Sequence, residues 1–210
     1  MNPTKFQPLY SFGFYEVEFS KDDLLPIITE VNDMKKNPNR YQEANSILIG
    51  QIKSELRIKN SLKYLEQLLT PYVISYIDYI NLYDYYTVNM NNHTLTLNNA
   101  WVNFQKKYEV NPPHNHSGLV SFVLYLEIPY DYEKEKQVNP GKDSRHNLGG
   151  TFSFIYPDPL GGIGSYFIKI DKTMIYKCLI FPSVLGHSLH PFYSSNGSRI
   201  SISGNFFYNT

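Results

Sequence analysis

A single cysteine, Cys178, is all the thiol chemistry these 210 residues offer, so no disulfide can form within the chain. That suits a reducing compartment, and its apolar setting, Tyr176-Lys-Cys-Leu-Ile-Phe181, fits a small buried side chain. Neither sign of charge is in excess: 19 Lys and Arg stand against 19 Asp and Glu, without the basic footprint by which proteins hold a nucleic-acid backbone. Long apolar runs are also missing, and none approaches the roughly 20 residues that cross a bilayer. The N-terminus, Met1-Asn-Pro-Thr-Lys-Phe6, lacks a positive region followed by an apolar segment and a cleavage site, so no signal peptide is expected. Repeats, low-complexity tracts and linker-like shifts in composition are absent. These absences predict one cytoplasmic domain over residues 1–210, with no nucleic-acid or membrane partner.

What is present divides near residue 93. Residues 9–19 alternate loosely between apolar and polar, as a half-buried strand does. Ser20 and Asp23 then open a helix whose stripe is Leu24, Ile27, Ile28, Val31 and Met34, and Asn37-Pro38 closes it. A second helical region is predicted over 51–86, broken or kinked near Pro71. Tyr72, Tyr76, Tyr79, Tyr83 and Tyr86 fall on one face of it, a stripe suited to packing on a sheet, with a homodimer surface or a substrate wall as its other uses. From residue 94 the pattern turns to strands, over 94–108, 119–128, 151–156, 166–170, 175–181, 186–192 and 199–208. The predicted fold class is mainly β with supporting α-helices, a sandwich or barrel carried on an N-terminal strand and helices. Residues 129–149 read as a long polar loop, either a lid or a surface insertion.

Three segments could carry chemistry. In Asn111-Pro-Pro-His-Asn-His-Ser-Gly118, His114 and His116 are two residues apart, so an extended chain points both imidazoles to one side, where one ion can bind both. In Leu179-Ile-Phe-Pro-Ser-Val-Leu-Gly-His-Ser-Leu-His190, His187 and His190 lie three apart, so only one of them can face a shared pocket. In Ser198-Arg-Ile-Ser-Ile-Ser-Gly-Asn-Phe206 the alternation is strict, with Arg199, Ser201, Ser203 and Asn205 on one face and Ile200, Ile202 and Phe206 on the other. That polar face either meets water or lines a barrel interior. In the second case Arg199 is a buried guanidinium that needs an anion, and a carboxylate matches its fork.

Taken together, His114-Asn115-His116, the distal His187 and Arg199-Ile-Ser201 resemble the 2-oxoglutarate/Fe(II)-dependent oxygenase superfamily. The text around them is similar to a subgroup of oxygenases from bacteria and marine phages: Trp101-Val-Asn, Pro112-Pro-His-Asn-His, Ser121-Phe-Val-Leu-Tyr-Leu, Gly149-Gly, Phe181-Pro-Ser and Arg199-Ile-Ser-Ile-Ser. The likeness covers roughly residues 95–207. It implies a double-stranded β-helix (jelly-roll, cupin-like) core over 94–210 and an iron site made of His114, His116 and His187. His116 stands where most of the superfamily has Asp or Glu, which leaves the site one negative charge short. The resemblance further implies that Arg199 grips the distal carboxylate of 2-oxoglutarate with help from Ser201, and that Tyr125 and Asn205 belong to the same pocket. Gln105 falls where a cosubstrate-contacting tyrosine is usual.

The implied activity is a dioxygenase, of hydroxylase type, that couples oxidative decarboxylation of 2-oxoglutarate by O2 to hydroxylation of a small-molecule or peptidyl substrate. Its implied setting is the cytoplasm, or the host cytoplasm for a phage-encoded member. Two other classes fit parts of the pattern: a cupin-like three-histidine metal enzyme that does not use 2-oxoglutarate, and a non-enzymatic β-sandwich with a binding or structural role. Arg199-x-Ser201 separates the oxygenase from the cupin-like enzyme, and fold analogy alone does not exclude the β-sandwich.

Overall fold

The computed structural model describes residues 13–82 and 94–209. Among the described residues ten strands form two antiparallel sheets. The larger contains β1 (Tyr15–Glu18), β2 (Glu55–Arg57), β3 (Thr94–Gln105), β5 (Val120–Glu127), β8 (Lys177–Pro182) and β10 (Arg199–Asn209), in the order β1-β8-β5-β10-β3-β2. The smaller contains β4 (Asn111–His114), β6 (Thr151–Pro157), β7 (Ile163–Lys169) and β9 (Gly186–Leu189), in the order β4-β9-β6-β7. Helices α1 (Leu25–Lys36) and α2 (Leu62–Tyr79) cover the outer face of the larger sheet, and a short α3 (Tyr132–Val138) lies between β5 and β6.

Period-two patterning explains the layers. Strand β5 is buried on both faces. Its even positions, Val120, Phe122, Leu124 and Leu126, join Ile27, Val31, Leu65, Leu69 and Val73 of the helices in one core. Its odd positions, Val123 and Tyr125, join Phe152, Phe154, Leu179 and Phe181 between the sheets in a second. Each of these fully buried aliphatic or aromatic side chains contributes about 1.5–3 kcal/mol. Strand β10 obeys the same rule: Ile200 and Ile202 face the helices, so Arg199, Ser201 and Ser203 are turned inward. Two facing sheets, the larger backed by helices, make a double-stranded β-helix.

Helix α1 has the expected stripe, with Ile27, Val31 and Met34 buried. Ser20 and Asp23 cap its approach, the Ser20 hydroxyl donating to Asp23 Oδ2 at 2.7 Å and accepting from Asp23 N at 3.1 Å. Helix α2 runs through Pro71 without a break, and it is shorter than predicted. Residues 51–61 are not helical: Gln51 bridges Val110, and Glu55–Arg57 pairs with β3. Ile52, Leu56 and Ile58 occupy even, buried positions there, a period of two that overrides the helical reading. The segment over 129–149 is likewise not a plain loop. Asp131 caps α3 by accepting from Lys134 N, and fully buried Glu135 accepts from Tyr193 N (2.7 Å) and Ser194 N (2.9 Å).

The tyrosine stripe packs against β1 and the turn after it. Tyr76 is fully buried and donates to Gly13 O at 2.7 Å, while Tyr72 lies edge-on to Phe19 and Tyr79 tilts against Tyr15. Tyr83 and Tyr86, like residues 9–12 of the first predicted strand, lie outside the described residues. Cys178 is buried in the helix-side core, which raises its thiol pKa. Among the described residues no helix is long and apolar enough to cross a membrane.

Candidate metal centre

Strands β4 and β9 bring the histidines together. They pair antiparallel with His114 opposite His187, and on its other side His187 faces Phe154 of β6. Strand β4 was not predicted, because Pro112 and Pro113 argue against a sheet interior; it is the edge strand of the smaller sheet, where proline is tolerated. His116 follows the end of β4 and is fixed by its backbone N–H, which donates to Ser183 O at 2.8 Å. Gly118, with φ +116°, then turns the chain into β5, and a Cβ there would sit 3.1 Å from Phe206 O.

The ligand atoms of His114, His116 and His187 lie within 4.8 Å of one another. His114 Nδ1 is 2.7 Å from Pro112 O and His187 Nδ1 is 2.9 Å from Leu185 O. A ring nitrogen that donates to a carbonyl carries the proton, so Nε2 of both rings keeps its lone pair for an ion. Burial lowers all three pKa values, His187 to about 3 and His116 to about 4, with His114 also below its ordinary value. The neighbouring imidazoles lower His116 and His187 further. All three are therefore neutral at pH 7, the form that binds metal. Phe152 and Phe181 pack on the His187 ring at centroid separations of 5.6 and 4.9 Å, and Trp101 lies 6.0 Å from the His116 ring. His190 takes no part in the cluster: its Nε2 is 2.7 Å from Ser153 Oγ.

Arg199 is fully buried. Its Nε and Nη2 donate to Gln105 Oε1 at 2.9 and 2.6 Å, Nη1 donates to Tyr130 Oη at 2.8 Å, and Nη2 also donates to His190 O at 2.7 Å. Phe192 lies 5.5 Å from the guanidinium carbon. All these partners are neutral, and no ion pair among the described residues involves Arg199. Nearby, the Tyr125 hydroxyl is wholly buried and has no hydrogen-bond partner among the described residues. A buried cation without an anion, beside an orphaned hydroxyl, fits a carboxylate ligand. His190 O, which Arg199 grips, is three residues on from His187, just past the end of β9 and about 10 Å of extended chain away.

The other polar residues of β10 divide. Ser201 and Ser203 line the inner cavity that the three histidines face, and both accept from Asn103 Nδ2 at 3.2 Å. Asn205 accepts from Ser121 Oγ at 2.7 Å, six residues and roughly 20 Å of strand away from Arg199. One small dicarboxylate cannot touch both ends. Tyr130 was not singled out from the sequence, where it reads only as part of the long polar loop.

A double-stranded β-helix with three convergent imidazoles at one end of its interior and an unpaired buried guanidinium nearby is the framework of a metal-dependent oxygenase. The chain belongs to the 2OG-Fe(II) oxygenase family: the model of the family described as "Putative 2OG-Fe(II) oxygenase" matches residues 99–205, just over half of the chain. The cofactors of this family are Fe(II), 2-oxoglutarate and O2. Solved structures share the fold. One is a prolyl hydroxylase from Trichoplax adhaerens in complex with a hypoxia inducible factor oxygen degradation domain peptide fragment, at 16% identity and a TM-score of 0.54 over 93% of this chain and 83% of that one. Another is a prolyl-4-hydroxylase from Pseudomonas putida, at 14% identity and a TM-score of 0.52 over 95% of both chains. No curated protein sequence matches the chain.

Proposed function

We propose that the chain is a 2-oxoglutarate-dependent Fe(II) dioxygenase that hydroxylates a small-molecule or peptidyl substrate, acting as one domain over residues 1–210. The observation that carries this reading is the buried, anion-free Arg199 inside the same sandwich as the three-histidine cluster. In this assignment His114, His116 and His187 hold the iron. Arg199 and the Tyr125 hydroxyl hold the distal carboxylate of 2-oxoglutarate, Gln105 and Tyr130 orient the guanidinium, and Ser201 lies along the path between.

When bound, the iron supplies the redox chemistry that couples loss of CO2 from 2-oxoglutarate to transfer of one oxygen atom of O2 into a substrate C–H bond, leaving succinate. The chain's own residues supply position and dryness. Carbonyl-anchored Nδ1 atoms fix the rings of His114 and His187, and the aromatic wall of Phe152, Phe181 and Trp101 excludes water. Three neutral ligands leave the metal with its full double charge, one unit more than a site containing a carboxylate, which favours a dianionic cosubstrate. Aerobic incubation with Fe(II) and 2-oxoglutarate should form succinate even without substrate, and no succinate when iron is omitted. Metal uptake with no succinate would favour the cupin-like three-histidine enzyme.

A further inference from the structure

Glu55 is a buried carboxylate that the proposed reaction does not use. Its residue is 1% exposed, and Oε1 has no hydrogen-bond partner among the described residues. Asn45 Nδ2 donates to Oε2 at 3.3 Å, and no ion pair among the described residues involves Glu55. Asn111 Oδ1 is a second buried acceptor without a partner among the described residues, and both side chains close on Gly50, where a Cβ would lie 3.1 Å from Glu55 Oε1 and 3.7 Å from Asn111 Oδ1. Both residues line an outer cavity of about 130 Å³ together with Trp101, His114 and His116. That cavity shares Trp101, Asn111, His114 and His116 with the inner one, so the histidines stand between the two spaces. Its rim is apolar, with Ile47 and Ile49 more than half exposed.

Two unpaired acceptors, one of them a carboxylate, call for a donor that carries positive charge. Trp101 offers an aromatic wall of the kind that also attracts cations. Glu109 adds negative potential: its charge, after burial itself, helps push the Glu55 carboxyl up to about 7. Glu109 is occupied by the backbone N–H groups of Lys53 and Lys106, which leaves Glu55 as the free acceptor.

We infer that Glu55 and Asn111 form the substrate-recognition subsite, and that it takes a protonated nitrogen, a primary ammonium or guanidinium, carried on an aliphatic body. This rests on the oxygenase reading, since it makes the outer cavity the substrate side of the metal. A cation seated there would lay its aliphatic chain past Trp101 toward His114 and His116 and bring a C–H bond to the metal.

Trp101 is the chain's one tryptophan and lines both cavities, so its fluorescence reports occupancy directly. The test titrates protein loaded with 2-oxoglutarate and redox-silent Zn(II) against n-butylammonium, n-butylguanidinium, neutral n-pentanol and anionic valerate. The expected result is saturable change with the two cations and at least tenfold weaker response to the other probes. Glu55→Gln should weaken n-butylammonium at least tenfold while leaving the Fe(II)–2-oxoglutarate absorbance unchanged. Free lysine and the capped peptide acetyl-Gly-Lys-Gly-amide then separate a free amine from a side chain. Equal binding of pentanol or valerate by the wild-type chain would overturn the inference without any variant, as would unchanged ammonium affinity in Glu55→Gln. Failure of the oxygenase reading shows separately, as loss of the Fe(II)–2-oxoglutarate absorbance in the wild type.

Discussion

Arg199 and Gln105 face each other across β10 and β3, and a single side-chain oxygen, Gln105 Oε1, accepts from both Nε and Nη2 of the guanidinium. The amide thereby sets the plane of the fork and leaves no room for a carboxylate on that edge, so an incoming carboxylate must approach from the Nη1 side, where Tyr130 Oη sits.

Arg199→Lys keeps the charge and loses the fork. Affinity for 2-oxoglutarate should fall about ten- to a hundredfold, the equivalent of roughly 1.5–3 kcal/mol for a charge-assisted hydrogen bond. Gln105→Leu should weaken 2-oxoglutarate less, because the guanidinium remains but swings. Equilibrium titration of both variants checks the order, and unchanged affinity in Arg199→Lys would remove Arg199 from the cosubstrate site.

His187→Ala should abolish succinate formation, whereas His190→Ala should retain most of it. The His190 side chain contacts Ser153, and what holds Arg199 is the His190 backbone carbonyl, which alanine keeps. The reverse result would mean that the other histidine is the distal ligand.

His116 occupies the position where a carboxylate is usual, and it is held by its backbone alone among the hydrogen bonds of the described residues. If its ring is a ligand, His116→Ala raises the apparent dissociation constant for Fe(II) at least tenfold, while His116→Asp keeps iron binding and shifts the absorbance of the 2-oxoglutarate complex. Affinity unchanged in His116→Ala would leave a two-histidine site.

The Glu55 carboxyl sits near 7 when folded against an ordinary value of 4.5, so between those values the folded chain holds a proton that the unfolded chain has released. Its effect on stability is a loss as pH rises from about 4.5 through 7, flat above that. The difference in melting temperature between Glu55→Gln and the wild type should therefore grow in favour of the variant from pH 5 to pH 8. A difference that does not change over that range would show that Glu55 ionises normally.

The strands of the core were legible because β5, β8 and β10 alternate or run continuously apolar, and the three histidines were legible because a two-residue spacing and a separate third ring are patterns along one chain. Residues whose roles depend on cross-strand register were not. Tyr130 meets Arg199 only once the strands are aligned, and nothing in the local sequence marks it; Gln105 was marked by its place before the first histidine, but not as the residue that holds the guanidinium. Glu55 was hidden for another reason: the apolar residues 52, 56 and 58 were assigned to a helix, which placed their neighbour on the wrong kind of element. Helix α3 was missed because its buried anchor, Glu135, is a charged residue in a polar segment, and its partners lie near residue 193.

In the proposed function three imidazoles and Arg199 together hold iron and 2-oxoglutarate. Anaerobic titration of the iron-loaded protein with 2-oxoglutarate tests it most directly. A weak visible charge-transfer band should grow in, saturate at one equivalent and be lost in His187→Ala; iron that binds tightly yet gives no band at any 2-oxoglutarate concentration would mean that the cosubstrate is not held at the metal.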